Sequence, residues 1–316
     1  MIDTSIPKII HYFYDDVEVY KKSKSSTFRI CYTSWLEKCP NYEIKLWHDK
    51  LPEFQEMLNN SRFLRECYKK GLWAYVADYV RYYALYNYGG IYLDTDVQLV
   101  KNFDSFLEKG FFASIEGDII DGENIPEPAV MGGVKEHVLF KNMINFYNSD
   151  EIFAEDNLVA PVILKKVLNN ISDFKCIDYK DEYKEKASDF YKPTDRYCVK
   201  INNFDVYSNQ IIFEDEKYKI TIYPSEYFCP SWSQFEIKSF TENTVAIHWN
   251  QSSWFNKKKE LKEIQSLRFK SSIQRFWFLN SDKIFSIRDV MHKGVKRKRY
   301  TILGVKINIK DDKNVK

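Results

Sequence analysis

Gly89-Gly90-Ile91-Tyr92-Leu93-Asp94-Thr95-Asp96 is the stretch on which the fold turns. Two glycines close a long helical pattern, three apolar residues follow, and two carboxylates stand one residue apart. Glycine ends a helix well because it adopts positive φ without a Cβ clash. Ile91–Leu93 reads as a short strand buried on both faces, as in an α/β sheet. Residues i and i+2 of an extended chain point the same way, so Asp94 and Asp96 share one side. The carboxyl end of a strand is also where open α/β sheets bind ligands. Such a pair suits Mg²⁺ or Mn²⁺ shared with phosphates. The plain alternative is an acidic turn after a strand.

The preceding helix is predicted over Trp73 to Tyr88, with Val76, Val80, Tyr83-Ala84 and Asn87 on one stripe. Asp78 and Arg81 are three apart and share a helix face. They form either a surface ion pair worth about 0.3–0.5 kcal/mol or a device for holding sugar hydroxyls and an anionic group.

Working outward, Ile6 to Tyr14 is an apolar run that reads as a buried strand. Residues 15–27 read as a loop, Phe28 to Lys38 as a helix stopped by Pro40, and Tyr42 to Trp47 as a second strand. Strand, helix, strand begins an α/β pattern. Leu51 to Lys70 is predicted helical and ends at Gly71. Further along, Val97 to Leu107 reads as an extended piece with a turn, and Phe111 to Glu116 as a strand. Asp118 to Pro128 reads as a loop, Val130 to Val134 as a small strand, and Val138 to Phe146 and Leu158 to Leu168 as helices. Residues 169–219 are polar, with short strands expected at Val206 to Phe213 and Lys219 to Tyr223. Pro224 to Pro230 is turn-rich, and Thr244 to Trp249 is a strand ending at His248. His248 is either a structural histidine or, with Ser253 and Trp254 nearby, part of a metal shell and lid. A boundary is expected near residue 256. Beyond it Phe276-Trp277-Phe278-Leu279 and the Lys296–Arg299 cluster suit an anionic membrane surface, or are ordinary basic decoration.

The 316 residues are 44% hydrophobic, enough for a sizeable core. Tyr and Phe number 23 each, and aromatics serve cores and sugar pockets alike. The 47 basic and 45 acidic residues leave a charge of +2, which gives no reason to expect nucleic acid as a partner. Cys31, Cys39, Cys67, Cys176, Cys198 and Cys229 show no zinc-like spacing and read as reduced thiols. No signal-peptide pattern and no run of about 18 apolar residues is present. A cytoplasmic protein is expected.

Together these residues resemble glycosyltransferase family 32, in I6-P-K-I-I-H11, S34-W35 with P40 and Y42, A77-D-Y-V-R-Y-Y-A-L-Y through G89-G-I-Y-L-D-T-D96, A246-I-H-W249 and S253-W254. The glucosyltransferase domain of large clostridial toxins is similar at a greater distance. The resemblance covers about residues 5–256 and implies a GT-A fold over 1–256, a Rossmann-like nucleotide-binding sheet flanked by helices, with 257–316 as an extension. It implies metal-dependent, retaining transfer of a hexose or N-acetylhexosamine from a nucleoside-diphosphate sugar, UDP foremost. The acceptor would be a glycan or lipid-linked oligosaccharide in bacterial capsular or surface polysaccharide synthesis, at the inner face of the membrane. Carried over by position, Asp94 would contact the donor and Asp96 would bind Mn²⁺ or Mg²⁺. Asp78 and Arg81 would hold the donor sugar, and His248 and Ser253 would complete the metal shell. Trp254 would lie against the phosphates, with His11 and Tyr12 flanking the base. The chain departs from the pattern at Ile247, where many relatives have a second His, and at Ala160, where many have Gly.

Two other classes compete. A two-metal phosphohydrolase would need more ligands than five scattered histidines supply. A non-catalytic carbohydrate-binding protein would use the aromatics but would not need Asp78, Arg81, Asp94 and Asp96 together. Glu116 is a further acid after a strand, able to serve as base or nucleophile.

Overall fold

The computed structural model describes residues 5–15, 26–116, 125–155, 157–172, 213–230 and 241–250, with backbone strands between 183 and 207 and between 285 and 310. Two compact units divide the chain, Met1–Leu261 and Lys262–Lys316.

The first unit is mixed α/β, a central sheet flanked by helices, as the GT-A reading expects. Strand β1 (Ile9–Phe13) leads through helix α1 (Ser26–Lys38) to β2 (Glu43–Trp47), which pairs parallel to β1. Where one helix is predicted over 51–70, there are two, α2 (Pro52–Asn60) and α3 (Arg62–Lys69). Ser61 is extended and its hydroxyl accepts the Leu64 N–H, capping α3. A serine competes with the helix for its own backbone and prefers this N-cap role.

Helix α4 (Trp73–Tyr88) ends as predicted at Gly89, whose φ is 66°. The exposed charged face is absent. Tyr75, Val76, Asp78, Tyr79, Val80, Arg81, Tyr82, Ala84 and Leu85 are all buried, so the helix is enclosed nearly all round. Gly90 has φ 102°, and a Cβ there would stand 2.6 Å from the Ile9 carbonyl oxygen, so no other residue fits this close crossing.

Strand β3 (Gly90–Leu93) lies between β1, to which it is parallel, and β6 (Pro126–Gly133), to which it is antiparallel. Between them in sequence are β4 (Val97–Leu99) and β5 (Phe111–Ile115). β6 starts earlier than predicted. Pro126 heads the strand, and the pairing with β5 jumps from Ala113↔Met131 to Ser114↔Glu127. That bulge takes up Pro128, a residue regular pairing excludes.

Helices α5 (Val138–Asn148) and α6 (Ala160–Ile171) follow, then short strands β7 (Tyr183–Lys186), β8 (Phe190–Pro193), β9 (Cys198–Ile201) and β10 (Asp205–Tyr207). β11 (Phe213–Asp215), β12 (Ile220–Tyr223), a helical turn α7 (Ser225–Phe228) and β13 (Ala246–His248) complete the unit. The main sheet runs β11-β12-β5-β6-β3-β1-β2, and β13 pairs antiparallel with β4 apart from it. Aromatics fill the core: Phe103, Phe106, Phe112, Tyr223 and Phe228 pack on one another, and Tyr12 packs with Phe28, Tyr32 and Trp35. Among the described residues, Cys31, Cys39, Cys67 and Cys229 are buried and form no disulfide.

In the second unit, β14 (Phe285–His292), β15 (Val295–Ile302) and β16 (Val305–Lys310) form an antiparallel meander. Among the described residues no helix is long and apolar enough to cross a membrane.

Candidate active site

The carboxyl ends of β1 and β3 open into a cavity of about 860 Å³. Asp78, Arg81, Asp94, Asp96 and His248, all singled out from sequence, line it.

The local fold explains this convergence. Asp94 ends β3, and its N–H donates to the Ala129 carbonyl of β6 at 2.9 Å. The chain then turns into β4, which α1 holds from below. The Trp35 indole N–H donates to the Val97 carbonyl at 2.7 Å, and the Ser34 hydroxyl accepts the Leu99 N–H at 2.8 Å. The Ser34-Trp35 pair thus fixes the backbone just after Asp96. β13 lies against β4 with His248 opposite Val97, and the Trp249 N–H donates to the Asp96 carbonyl at 3.1 Å. A histidine far along the sequence is thereby placed beside the second aspartate.

Arg81 is the centre of the charge network. Its Nη2 lies 2.9 Å from Asp78 and 3.2 Å from Asp94, and its guanidinium sits over the Tyr92 ring. Arg81 Nε is buried and has no hydrogen-bond partner. His248 Nε2 is 3.3 Å from Asp96, and Nδ1 is 3.9 Å from Glu127. The Glu127 carboxylate also accepts the Ala129 N–H at 2.9 Å.

Burial pushes the Asp78 carboxyl up to about 7 despite the Arg81 guanidinium, and the Asp94 and Glu127 charges add to the rise. Burial likewise raises Asp94 and Glu127. Burial alone would lower His248; the Asp96 carboxylate, with the Cys229 side chain and the Glu127 carboxylate adding to it, outweighs burial and holds the imidazole well above its usual range. When ionised, the four carboxylates of Asp78, Asp94, Asp96 and Glu127 stand with one guanidinium and one imidazolium, a deficit of positive charge among these six groups. A divalent cation fits that deficit, and carboxylate oxygens are the donors that Mg²⁺ and Mn²⁺ prefer.

The structure corrects the expectation for His11 and Tyr12. Neither lines the cavity. His11 is fully buried in mid-strand, with Nε2 on the Gly89 carbonyl and Nδ1 accepting the Trp47 indole N–H. Tyr12 is enclosed by Phe28, Tyr32 and Trp35. The strand's carboxyl end reaches the cavity instead, through Phe13, Tyr14 and Asp15. Ser253 and Trp254 lie outside the described residues, as do positions 117–124 of the expected loop. Glu116 does line the cavity.

Glu127 is a charged cavity-lining position that sequence reasoning did not single out. It sits in Pro126-Glu127-Pro128, a run that reads as loop, and the acid boxed between prolines ahead of an apolar strand is its one local signal. Residues 157–162 at the start of α6, where Ala160 departs from the family pattern, form another wall of the cavity.

Residues 25–112 match a family described as "Glycosyltransferase sugar-binding region containing DXD motif". Inositol phosphoceramide mannosyltransferase 3 of Schizosaccharomyces pombe is 34% identical over 103 residues, covering 33% of this chain and 28% of that protein. Inositol phosphoceramide mannosyltransferase 2 of the same organism is 31% identical over 139 residues, covering 44% and 37%. The chain therefore spans well under half the length of these relatives. Among solved structures, PaToxG glycosyltransferase is similar at 16% identity and a TM-score of 0.39, over 53% of this chain and 70% of that one. Over residues 25–112 the chain is thus similar to a glycosyltransferase sugar-binding region, and Asp94–Asp96 is a DXD within the matched span.

Proposed function

We propose that the chain is a retaining glycosyltransferase that moves a hexose or N-acetylhexosamine from a nucleoside-diphosphate sugar, with UDP as the favoured carrier, to a glycan or lipid-linked acceptor. The observation that carries this reading is the buried bridge of Arg81 between Asp78 and Asp94, one residue from the Asp96–His248 pair, on the floor of one cavity. Asp78 and Asp94 present carboxylate oxygens to sugar hydroxyls, and Arg81 fixes the direction of both. Asp96 and His248 would hold Mn²⁺ or Mg²⁺, whose contribution is to offset charge on the departing diphosphate. Ser253 and Trp254 are proposed to close over that diphosphate.

In the proposed reaction the bond from the anomeric carbon to the β-phosphate oxygen breaks. The acceptor hydroxyl bonds to the same face of that carbon, and its proton passes to the departing phosphate. No protein base is required, and Glu116 and Glu127 serve as walls that orient the sugar.

Two features favour a lipid-borne acceptor and a role in surface polysaccharide synthesis at the inner membrane face. The two yeast relatives are named as mannosyltransferases of inositol phosphoceramide, a lipid. The register of the second unit also sets Arg288 opposite Arg299 and Arg297 opposite Lys310. Strand alternation puts these four on one face together with Lys306, whereas Asp289, the one acid of the three strands, lies opposite Lys298 on the other face. Like charges directly opposite destabilise a sheet, so the basic face suits an anionic bilayer. It carries no Phe, Tyr or Trp for base stacking, which argues against single-stranded nucleic acid.

The test is incubation with Mn²⁺ and a panel of nucleotide sugars, following diphosphate release and glycoside formation by mass spectrometry. One donor is expected to release diphosphate, with Asp96→Ala abolishing it. Wild-type turnover in Asp96→Ala overturns the metal assignment, and binding without release by the wild type would make the chain a carbohydrate-binding protein.

A further inference from the structure

Behind the DXD side of the cavity, three side chains from different elements converge. Glu127 comes from the bulge of β6, Cys229 follows α7, and His248 ends β13. One ligand atom from each lies within 4.8 Å of the others, and all three residues are buried. The Val245 N–H donates to the Tyr227 carbonyl at 2.8 Å, which ties the turn bearing Cys229 to the strand bearing His248. The group is built in by backbone pairing.

A second observation points to a ligand. His248 is only 9% exposed, and its Nδ1 has no hydrogen-bond partner while facing Glu127. The opposite nitrogen, Nε2, is on Asp96. A metal-binding histidine typically donates its other N–H to a carboxylate, which fixes the tautomer and aims the free nitrogen at the metal. Asp96 and His248 have that relation, with Glu127 and Cys229 on the side to which Nδ1 faces.

We propose that Glu127, Cys229 and His248 form a Zn²⁺ site that adjoins the DXD and is separate from its Mn²⁺/Mg²⁺ position. One sulfur, one nitrogen and one oxygen donor is a borderline-soft set that zinc takes and Mg²⁺ does not. Zinc bond lengths put ligand atoms about 3.4–3.7 Å apart in a tetrahedron, so small side-chain rotations close the present spacing. On binding, the Cys229 thiol and the His248 imidazolium each give one proton to solvent, from sulfur and from Nδ1, as those atoms join the metal. His248 binds as neutral imidazole through Nδ1 and keeps its Nε2–H on Asp96. A fourth ligand, such as a water, would complete the tetrahedron.

A neutral imidazole has one free lone pair. His248 therefore cannot hold zinc through Nδ1 and the DXD ion through Nε2 at once, and the two metals become alternatives at this ring. That exclusion rests on the proposed role of His248 in the transferase; zinc binding itself does not.

The test uses the full chain freed of metal by a chelator. Zn²⁺ is titrated calorimetrically in excess Mg²⁺, and Co²⁺ replaces zinc for absorption spectroscopy. We expect one Zn²⁺ per chain and a thiolate-to-cobalt charge-transfer band in the near ultraviolet. Cys229→Ser is expected to lose the band and weaken zinc binding by at least about tenfold, whereas Asp94→Asn keeps both. A wild-type Co²⁺ spectrum with no thiolate band overturns the site without relying on the folding of any variant. Unchanged zinc affinity in Cys229→Ser overturns it as well. Loss of zinc binding in Asp94→Asn with retention in Cys229→Ser would move the ion to the DXD.

Discussion

The His11 imidazole donates through Nε2 to the Gly89 carbonyl at 2.8 Å, joining β1 to the turn that launches the DXD strand. Its Nδ1 accepts the Trp47 indole N–H at 3.0 Å, so the ring is neutral with its proton on Nε2. Both nitrogens serve the fold.

This arrangement predicts a specific acid sensitivity. Burial lowers His11 from 6.5 to about 4. A group whose folded pKa is depressed contributes stability that is complete above its unfolded value and is lost as pH falls through the folded one. His11 should therefore cost the protein about 3 kcal/mol between pH 6.5 and pH 4. His11→Gln should be less stable at pH 7.5 yet show a shallower decline on acidification. Urea unfolding at a series of pH values measures both, and parallel declines for the two proteins would refute the assignment.

Removing the Arg81 guanidinium strands Asp78 and Asp94 in a buried site. Arg81→Ala should lose about 3–5 kcal/mol of stability, as expected when one partner of a buried ion pair is deleted. Adding Asp78→Asn to that variant should recover at least ~1 kcal/mol at alkaline pH and less at neutral pH, where the Asp78 carboxyl, already raised to about 7, takes up a proton once the guanidinium is gone. Denaturant melts of the two single variants and the double variant close the cycle. Simple additivity would mean that the bridge has no energetic content.

The basic face of the C-terminal meander should bind phosphatidylserine-containing vesicles and ignore neutral phosphatidylcholine ones. Replacing Arg288→Glu together with Arg299→Glu keeps a like-charged pair at the same register position, so sheet stability changes little. Vesicle binding should fall by at least about tenfold at low salt, at roughly 1 kcal/mol per charge near the surface. Equal pelleting of variant and wild type sinks the membrane reading, and binding to single-stranded nucleic acid in place of vesicles replaces it.

What could be read from the sequence follows the range of the interactions involved. Helical spacing put Asp78 and Arg81 on one face, and strand alternation put Asp94 and Asp96 on one side. These are properties of a single element, and the structure has both. The depth of that helix was not readable, because a 3.6-residue stripe says which side is most apolar and not what covers the other side. The surface ion pair, one of the two readings open for Asp78 and Arg81, is excluded by their burial.

Longer-range placements escaped for the same reason. His11 sits in an apolar strand next to the site in sequence order, yet its ring is committed to the Gly89 carbonyl and the Trp47 indole and does not line the cavity. Glu127 looked like loop because prolines flank it, and only pairing with β5 and β3 turns that stretch into strand. Cys229 gave no spacing signal, since its neighbours Glu127 and His248 come from remote segments. Lys296–Arg299, read as one cluster, is divided by alternation, with Arg297 and Arg299 on the basic face and Lys296 and Lys298 on the other.

The charged floor of the cavity comes from one helix and the strand directly after it, locked together through Gly89, Gly90 and His11. Its rim comes from Tyr14, Glu116 and residues 157–162, each at the end of a different element. Substitutions at the rim can therefore accumulate without disturbing the carboxylate–guanidinium network beneath. Change at the rim and constancy of the network beneath are thus separable properties of this fold, although the residues of the two layers alternate along the chain.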